Sequence, residues 1–316
     1  VKILFFGTPE VSVLHLKKLL ESGKFNIEVV TAPDKPRGRG YKIVSSPVKE
    51  YADLNKLKVY QPKFCNDADF LKEVSQSNID LGVVVSFGLI LPKSLIDIPK
   101  YGTINVHFSL LPKYRGAAPV NWAIINGESK TGISIIYVEE KLDSGDIILQ
   151  VEEPIREEDD AFSLMKRLVN ISTNKLFDAI ELVTSGELNR IKQDETKVSY
   201  APKIKRDDTI INWQNTSRRI YNFIRGLSPE PGAISFLNGK LIKILKSKVF
   251  EENKEENQVG GKILEYIKNE GWRVSTSDGS IIIKTIKPEG KRSMSVDEYM
   301  RGHKIPLNIG FESKLI

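Results

Sequence analysis

The segment Asn105-Val106-His107-Phe108-Ser109-Leu110-Leu111-Pro112 holds the densest set of side chains able to do chemistry. Its first part, within Thr103–Phe108, alternates apolar and polar residues and reads as a strand. The side-chain period of a strand is two, so Asn105 and His107 face the same side. An apolar strand with two polar groups on one face calls for an explanation, because buried polar groups require partners. Asparagine supplies an amide donor. Histidine supplies an N–H that can donate to a developing oxyanion or shuttle a proton. A carboxylate to complete the set lies at Asp143, in Leu142-Asp143-Ser144-Gly145-Asp146, after the following strand. The three suit acyl transfer to an amine, in which an oxyanion forms and the attacking nitrogen loses a proton. Residue types alone also allow a second reading, a hydrogen-bonded core histidine and an aspartate that caps a turn.

Other motifs narrow the field. Gly7-Thr8-Pro9 stands between an apolar strand and a helix, the usual place for an anion or a substrate carbonyl. Gly7 is the only glycine in the first twenty residues, so no GxGxxG exists and a dinucleotide fold is disfavoured. Ser109 lacks a GxSxG elbow and is a poor nucleophile. One cysteine, Cys65, excludes an internal disulfide and a Cys-based metal site. His15, His107 and His303 are scattered, which argues against a His-rich one; no metal is expected.

These residues need elements to hold them. Apolar runs at Lys2–Phe6, Ile27–Ala32, Leu81–Phe87, Thr103–Phe108, Gly132–Val138 and Gly145–Val151 read as strands. Helical patterns fall at Pro9–Ser22, Pro47–Asn55 with Ser46 as N-cap, Asp67–Ser77, Pro92–Ile98 and from Pro119 through Ile125. Such alternation predicts an α/β domain, a mostly parallel sheet with helices on both faces, and places Asn105 and His107 at the ligand-binding ends of the strands. Pro33–Ser46, rich in Gly, Pro and basic residues, reads as a loop. Asp160–Ser185 is a long amphipathic helix. Residues 188–208 hold ten charges in twenty-one positions and read as a linker. Residues 209–316 open with a helix whose Ile220, Phe223, Ile224 and Leu227 recur at helical spacing. Short β-rich pieces follow at Leu241–Val249, Lys262–Tyr266, Trp272–Thr276 and Ser280–Ile286, which predict a small closed barrel, then a capped helix at Ser295–Arg301. The expected domains are therefore 1–187 and 209–316.

The chain has 316 residues, 40% hydrophobic and 28% charged, the balance of a soluble globular protein. The apolar run Leu81–Leu91 is too short to span a bilayer. The opening Val1–Phe6 runs into Gly7-Thr8-Pro9 without a leader pattern. A cytoplasmic monomer is expected. Residues 1–205 carry 28 Lys+Arg against 27 Asp+Glu, whereas residues 206–316 carry 19 against 14. Within the neutral part, residues 33–49 hold Lys35, Arg37, Arg39, Lys42 and Lys49 against Asp34 alone. One loop and the C-terminal third therefore concentrate the positive charge, as a large anionic partner would require or as ordinary solubility charge would leave it.

Residues 105–124, NVHFSLLPKYRGAAPVNWAI, resemble the signature of the folate-dependent formyltransferases. The likeness extends over essentially the whole chain, through Phe6–Glu10, Pro33–Pro36, Gly38–Gly40, Ser46–Lys49, Phe87–Pro92, Asp143–Asp146, Tyr200–Lys203 and Pro288–Lys291. The basic loop and the C-terminal third point to the branch that acts on tRNA. The resemblance implies a Rossmann-like domain joined by a linker to an OB-like barrel. It implies transfer of a formyl group from 10-formyltetrahydrofolate, a co-substrate, to the α-amino group of methionine on initiator methionyl-tRNA. It assigns catalysis to Asn105, His107 and Asp143, and folate binding to Ser109, Leu110, Leu111 and Pro112 with Leu89, Ile90 and Leu91. It assigns tRNA contact to Lys35, Arg37, Arg39 and Lys42, with Arg39 reading the weak first base pair of the acceptor arm and the loop ordering on the RNA. The alternatives are a relative acting on a nucleotide-linked amino sugar, for which the basic loop is not expected, and a non-catalytic RNA-binding relative, against which the intact Asn105, His107 and Asp143 argue.

Overall fold

The structure, a computed structural model, describes residues 1–37, 42–186, 190–250, 259–303 and 309–313. The chain forms two compact units. The first comprises Val1–Ala117, Thr131–Glu153 and Lys166–Ala201, and the second Ala118–Lys130, Pro154–Met165 and Pro202–Ile316. In chain order the elements are β1 (Lys2–Gly7), α1 (Glu10–Glu21), β2 (Asn26–Val30), β3 (Lys35–Arg37), β4 (Lys42–Val44), α2 (Pro47–Leu54), β5 (Lys58–Tyr60), α3 (Ala68–Ser75), β6 (Leu81–Val85), α4 (Lys93–Ile96), β7 (Thr103–His107), α5 (Pro119–Ile125), β8 (Lys130–Tyr137), β9 (Ile147–Pro154) and α6 (Ala161–Ser185).

The first unit is built on a seven-stranded sheet of order β5-β2-β1-β6-β7-β8-β9. Pairings from β5 through β7 are parallel, and β8 runs antiparallel to β7. Every residue of β6 is buried, as a strand covered on both faces must be. On one face Leu4, Phe6, Val30 and Val84 pack with Phe70 and Val74 of α3 and Leu95 and Ile96 of α4. Ser46 caps α2 by accepting from the Lys49 N–H, as its type and position predict. Three features depart from the sequence reading. The segment expected to be a loop pairs at its base as a hairpin of β3 and β4, with Lys35 opposite Val44 and Pro36 opposite Ile43. The three-residue strand β5 was too short to carry a periodicity. Within the segment read as a linker, residues 190–201 are packed into the first unit.

In the second unit α7 (Ser217–Gly226) is followed by β10 (Ala233–Leu237), β11 (Lys240–Phe250), β12 (Ile263–Ile267), β13 (Gly271–Ser275), β14 (Ser280–Pro288), β15 (Met294–Ser295), α8 (Val296–Gly302) and β16 (Phe311–Glu312). The sheet order is β12-β13-β14-β11-β10-β16. Its two edges meet: the Ile263 N–H donates to the Ile309 carbonyl at 2.9 Å and the Phe311 N–H to the Gly261 carbonyl at 2.7 Å. Edge closure of this kind satisfies backbone groups that an open sheet leaves bare. Trp213, Trp272 and Phe311 fill the interior with Ile220 and Ile224 of α7. Residues 154–165 join this unit through Arg225, whose Nη1 donates to the carbonyls of Arg156 at 2.9 Å and Asp159 at 3.0 Å.

His15 of α1 sits wholly buried against α6. Its Nδ1 lies 2.8 Å from the Val11 carbonyl and its Nε2 2.8 Å from Ser172 Oγ. The carbonyl only accepts, so Nδ1 carries the proton and Nε2 accepts from the serine hydroxyl. Burial pushes the imidazole down to about 4 from its ordinary 6.5. Between those values the unfolded chain binds a proton that the folded chain refuses. Stability is therefore expected to fall as pH drops from about 6.5 to about 4, by roughly 3 kcal/mol from this site. Chemical denaturation of the wild type and His15→Gln across that range should show a shallower decline in the variant. Parallel declines would clear His15 of the role.

Candidate active site

His107 ends β7 with its side chain almost fully buried. Its Nε2 lies 2.9 Å from the Tyr114 carbonyl. A carbonyl can only accept, so Nε2 carries a hydrogen and Nδ1 is the nitrogen left for proton exchange. Nδ1 faces Asp143 Oδ2 at 3.6 Å, an ion-pair distance rather than a hydrogen bond. A proton taken up at Nδ1 is thus set against a carboxylate. Asn105 lies two residues earlier on the same strand face, half-buried, and its carboxamide has no hydrogen-bond partner among the described residues.

Asp143 is placed by backbone rather than by a strand. It sits in the left-handed region at φ 48°, and its Oδ2 accepts from the Gly116 N–H at 2.8 Å. Tyr114, whose carbonyl orients His107, is left-handed as well, at φ 64°. Such residues cost of order 1 kcal/mol or more each and persist where the surroundings hold them. Gly116 is required on two counts: its φ is 124°, and a Cβ there would lie 2.6 Å from the Ala201 carbonyl oxygen. The loop is also clamped from outside. Gln193 Nε2 donates to the carbonyls of Asp143 at 2.7 Å and Gly145 at 2.8 Å.

The segment after His107 is tied to β8 through one buried hydroxyl. Ser134 Oγ donates to the Ser109 carbonyl at 2.6 Å and accepts from the Leu111 N–H at 3.0 Å and Gln150 Nε2 at 2.8 Å. Ser109 itself is buried with its hydroxyl given to the Lys113 carbonyl at 2.6 Å. Gln150 Nε2 also holds the Leu111 carbonyl at 2.8 Å. Leu110 and Pro112 are half-buried and Leu111 is buried. The expected folate residues therefore form a rigid turn, with the Ser109 and Leu111 carbonyls already engaged.

The second expected folate segment leaves β6, the strand beside β7. There Leu91 is buried in the core while Leu89 is 39% and Ile90 88% exposed. The Gly7–Pro9 turn uses its polar groups internally. Thr8 Oγ1 donates to the Phe87 carbonyl at 3.0 Å, the Thr8 N–H to Ser12 Oγ at 3.3 Å, and Ser12 Oγ to the Val85 carbonyl at 2.6 Å. It ties the ends of β1 and β6 together, where its sequence position had pointed to a ligand. Of the basic loop, Lys35 is exposed and Arg37 and Lys42 pair as backbone in the hairpin, while Arg39 lies outside the described residues. Cys65 is buried, and burial pushes its thiol up to about 11, so it stays protonated. No group of three His, Cys, Asp or Glu suited to a metal occurs among the described residues, and no helix there is long and apolar enough to cross a membrane.

Sequence reasoning missed Ser134, Gln150, Arg115 and Gln193. Ser134 had a signal, a polar residue inside the apolar strand around Ile133 and Ile135. Gln193 had none, because it stands in a highly charged stretch without periodicity. Arg115 is fully buried; its Nη2 meets Glu195 Oε1 at 2.7 Å. The Arg115 and Lys141 cations hold the Glu195 carboxyl down to about 2, so it remains ionised beside the buried guanidinium.

The chain matches the formyl transferase family over residues 1–180 and the formyl transferase C-terminal domain over residues 203–304. It is 48% identical to the methionyl-tRNA formyltransferase of Fusobacterium nucleatum, covering 96% of this chain and 97% of that relative. It is 42% identical to the enzyme of the same name from Clostridioides difficile, over 96% and 98%. Among solved structures, a sugar 3N-formyl transferase, WlaRD, crystallised in the presence of dTDP and 5-N-formyl-THF, is similar at a TM-score of 0.68 and 24% identity, over 92% of this chain and 99% of that one. HypX of Aquifex aeolicus in complex with tetrahydrofolic acid is similar at 0.64 and 17%, over 96% and 50%. Both share the fold. A parallel sheet ending in an Asn–His strand, a closed antiparallel barrel and full-length identity of this order give one conclusion: the chain belongs to the formyl transferase family, in the branch of the methionyl-tRNA formyltransferases.

Proposed function

We propose that this chain transfers the formyl group of 10-formyltetrahydrofolate to the α-amino group of methionine esterified to initiator tRNA. The observation that carries the reaction is His107 with Nε2–H spent on a backbone carbonyl and Nδ1 turned to Asp143. The carrier supplies a formyl group on a nitrogen able to leave. The residues present suit it: exposed Leu89 and Ile90 beside the β7 end offer an apolar surface for a flat ring. The segment 109–112 adds a turn held rigid by Ser134.

In this reading the methionine amine bonds to the formyl carbon. Asn105, whose carboxamide is unpartnered among the described residues, donates to the oxygen that gains charge. His107 and Asp143 take the proton that the amine nitrogen sheds and return one to the departing folate nitrogen, so that protons balance. Asp143 keeps the imidazolium stabilised while the proton is in transit. Lys35, Arg37, Arg39 and Lys42 contact RNA phosphates, with Arg39 contributing to the choice of initiator tRNA, and the positive C-terminal third follows the same backbone. A nucleotide amino sugar is the weaker alternative: the sugar enzymes resemble this chain at the level of fold, and the cationic hairpin has no counterpart need on so small an acceptor.

The deciding assay is formylation of initiator methionyl-tRNA, with elongator methionyl-tRNA and a nucleotide amino sugar as controls. Preference for the sugar would overturn the reading. Asn105→Ala and His107→Ala should each lower kcat by about 10²-fold, as for loss of an oxyanion donor; losses below about fivefold would dismiss both roles. Asp143→Asn should nearly abolish turnover with folate affinity, measured by equilibrium binding, retained. Parallel collapse of binding would make it a ligand or structural residue. Arg39→Ala should narrow the preference for initiator over elongator tRNA. Equal losses on the two would reduce Arg39 to a phosphate contact.

A further inference from the structure

Residues 193–201 contribute nothing to the chemistry above, yet they hold the loop that does. The Gln193 amide is saturated. Its Oε1 accepts from Arg115 Nε at 3.2 Å and Nη2 at 2.7 Å, and its Nε2 donates to the Asp143 and Gly145 carbonyls. Guanidinium only donates and carbonyls only accept, so the amide has one admissible orientation. The residue after Arg115, Gly116, gives its N–H to the Asp143 carboxylate. The bonds close a ring that runs from the Asp143 carboxylate through Gly116 and Arg115 to Gln193 and back to the Asp143 main chain. The ring is anchored in turn, because the Arg115 N–H donates to the Ser199 carbonyl at 2.9 Å and the Ala201 N–H to the Arg115 carbonyl at 2.7 Å. Arg115 is fully buried, and its Nη1 has no partner among the described residues. A buried cation is costly unless it is paired, and Glu195 pairs with Nη2. The remaining bonds of the guanidinium, from Nε and Nη2, hold the Gln193 carboxamide.

We propose that Gln193 is a positioning residue for formyl transfer: oriented by Arg115, its amide fixes the main chain of Asp143 and thereby the distance from the Asp143 carboxylate to His107 Nδ1. This rests on the formyl-transfer reading. A carboxylate released from its place should weaken proton handling without weakening substrate binding.

The test compares Gln193→Met, Asp143→Ala and the double variant by single-turnover and steady-state formylation of methionyl-tRNA, with thermal unfolding of each. Gln193→Met should lose about 10- to 100-fold in kcat, with KM for both substrates within about twofold. In the Asp143→Ala background the same substitution should change the rate by less than about twofold, because the group it positions is gone. A kcat near that of the wild type, a rise in KM at constant kcat, or equal losses in both backgrounds would overturn the proposal, the last marking a purely structural role. Should Gln193→Met fail to fold, Gln193→Glu keeps the acceptors for Arg115, removes both donors and carries the same expectations. Absence of wild-type turnover would overturn the formyl-transfer reading itself. Wild-type turnover with Gln193→Met unaffected would overturn only the positioning role.

Discussion

One hydrogen bond governs the geometry of the site, that from the Gly116 N–H to the Asp143 carboxylate. It brings a residue from the loop between β8 and β9 within reach of a histidine at the end of β7. For it to form, the segment after β7 must turn back sharply, and it does so through a left-handed Tyr114. The same turn presents the Tyr114 carbonyl to His107 and so decides which ring nitrogen is free. One backbone reversal thus sets the position of the carboxylate and the tautomer of the imidazole together.

That reversal is not stable by itself. Left-handed tyrosine and aspartate, and a buried guanidinium whose Nη1 has no partner among the described residues, each oppose folding. What opposes them is saturation elsewhere. Ser134 makes three hydrogen bonds in the core and Gln193 makes four, each to a partner more than ten residues away in sequence. Polar side chains with their hydrogen-bonding capacity filled, as Ser134 and Gln193 are, favour a single arrangement, where an apolar core would tolerate several. The parallel strands β1, β6 and β7 supply the rigid base, buried on both faces.

The second unit solves a different problem. A small antiparallel sheet has two bare edges, and here the edges bond to each other around Trp213, Trp272 and Phe311. Closure leaves the outward side chains free to carry charge. Lys243 and Lys287, directly opposite on β11 and β14, share the carboxylate of Glu230. The excess of lysine and arginine in this third of the chain therefore costs the barrel interior nothing.

Local periodicity made the parallel sheet, the long α6 helix, the caps at Ser46 and Ser295 and most of the barrel strands legible, because those features depend on neighbours within a few residues. The pair Asn105 and His107 was legible for the same reason, since a strand alternates its faces. The strands β3, β5, β10 and β16 were not: two or three residues carry no period, and β10 is buried on both sides. That Asp143 meets His107 could be suspected from residue type, but its distance could not be known. The roles of Arg115, Ser134, Gln150 and Gln193 were decided by tertiary structure alone. Each bonds main-chain atoms tens of residues away, and a hydrogen bond between distant segments leaves no trace in the order of either one.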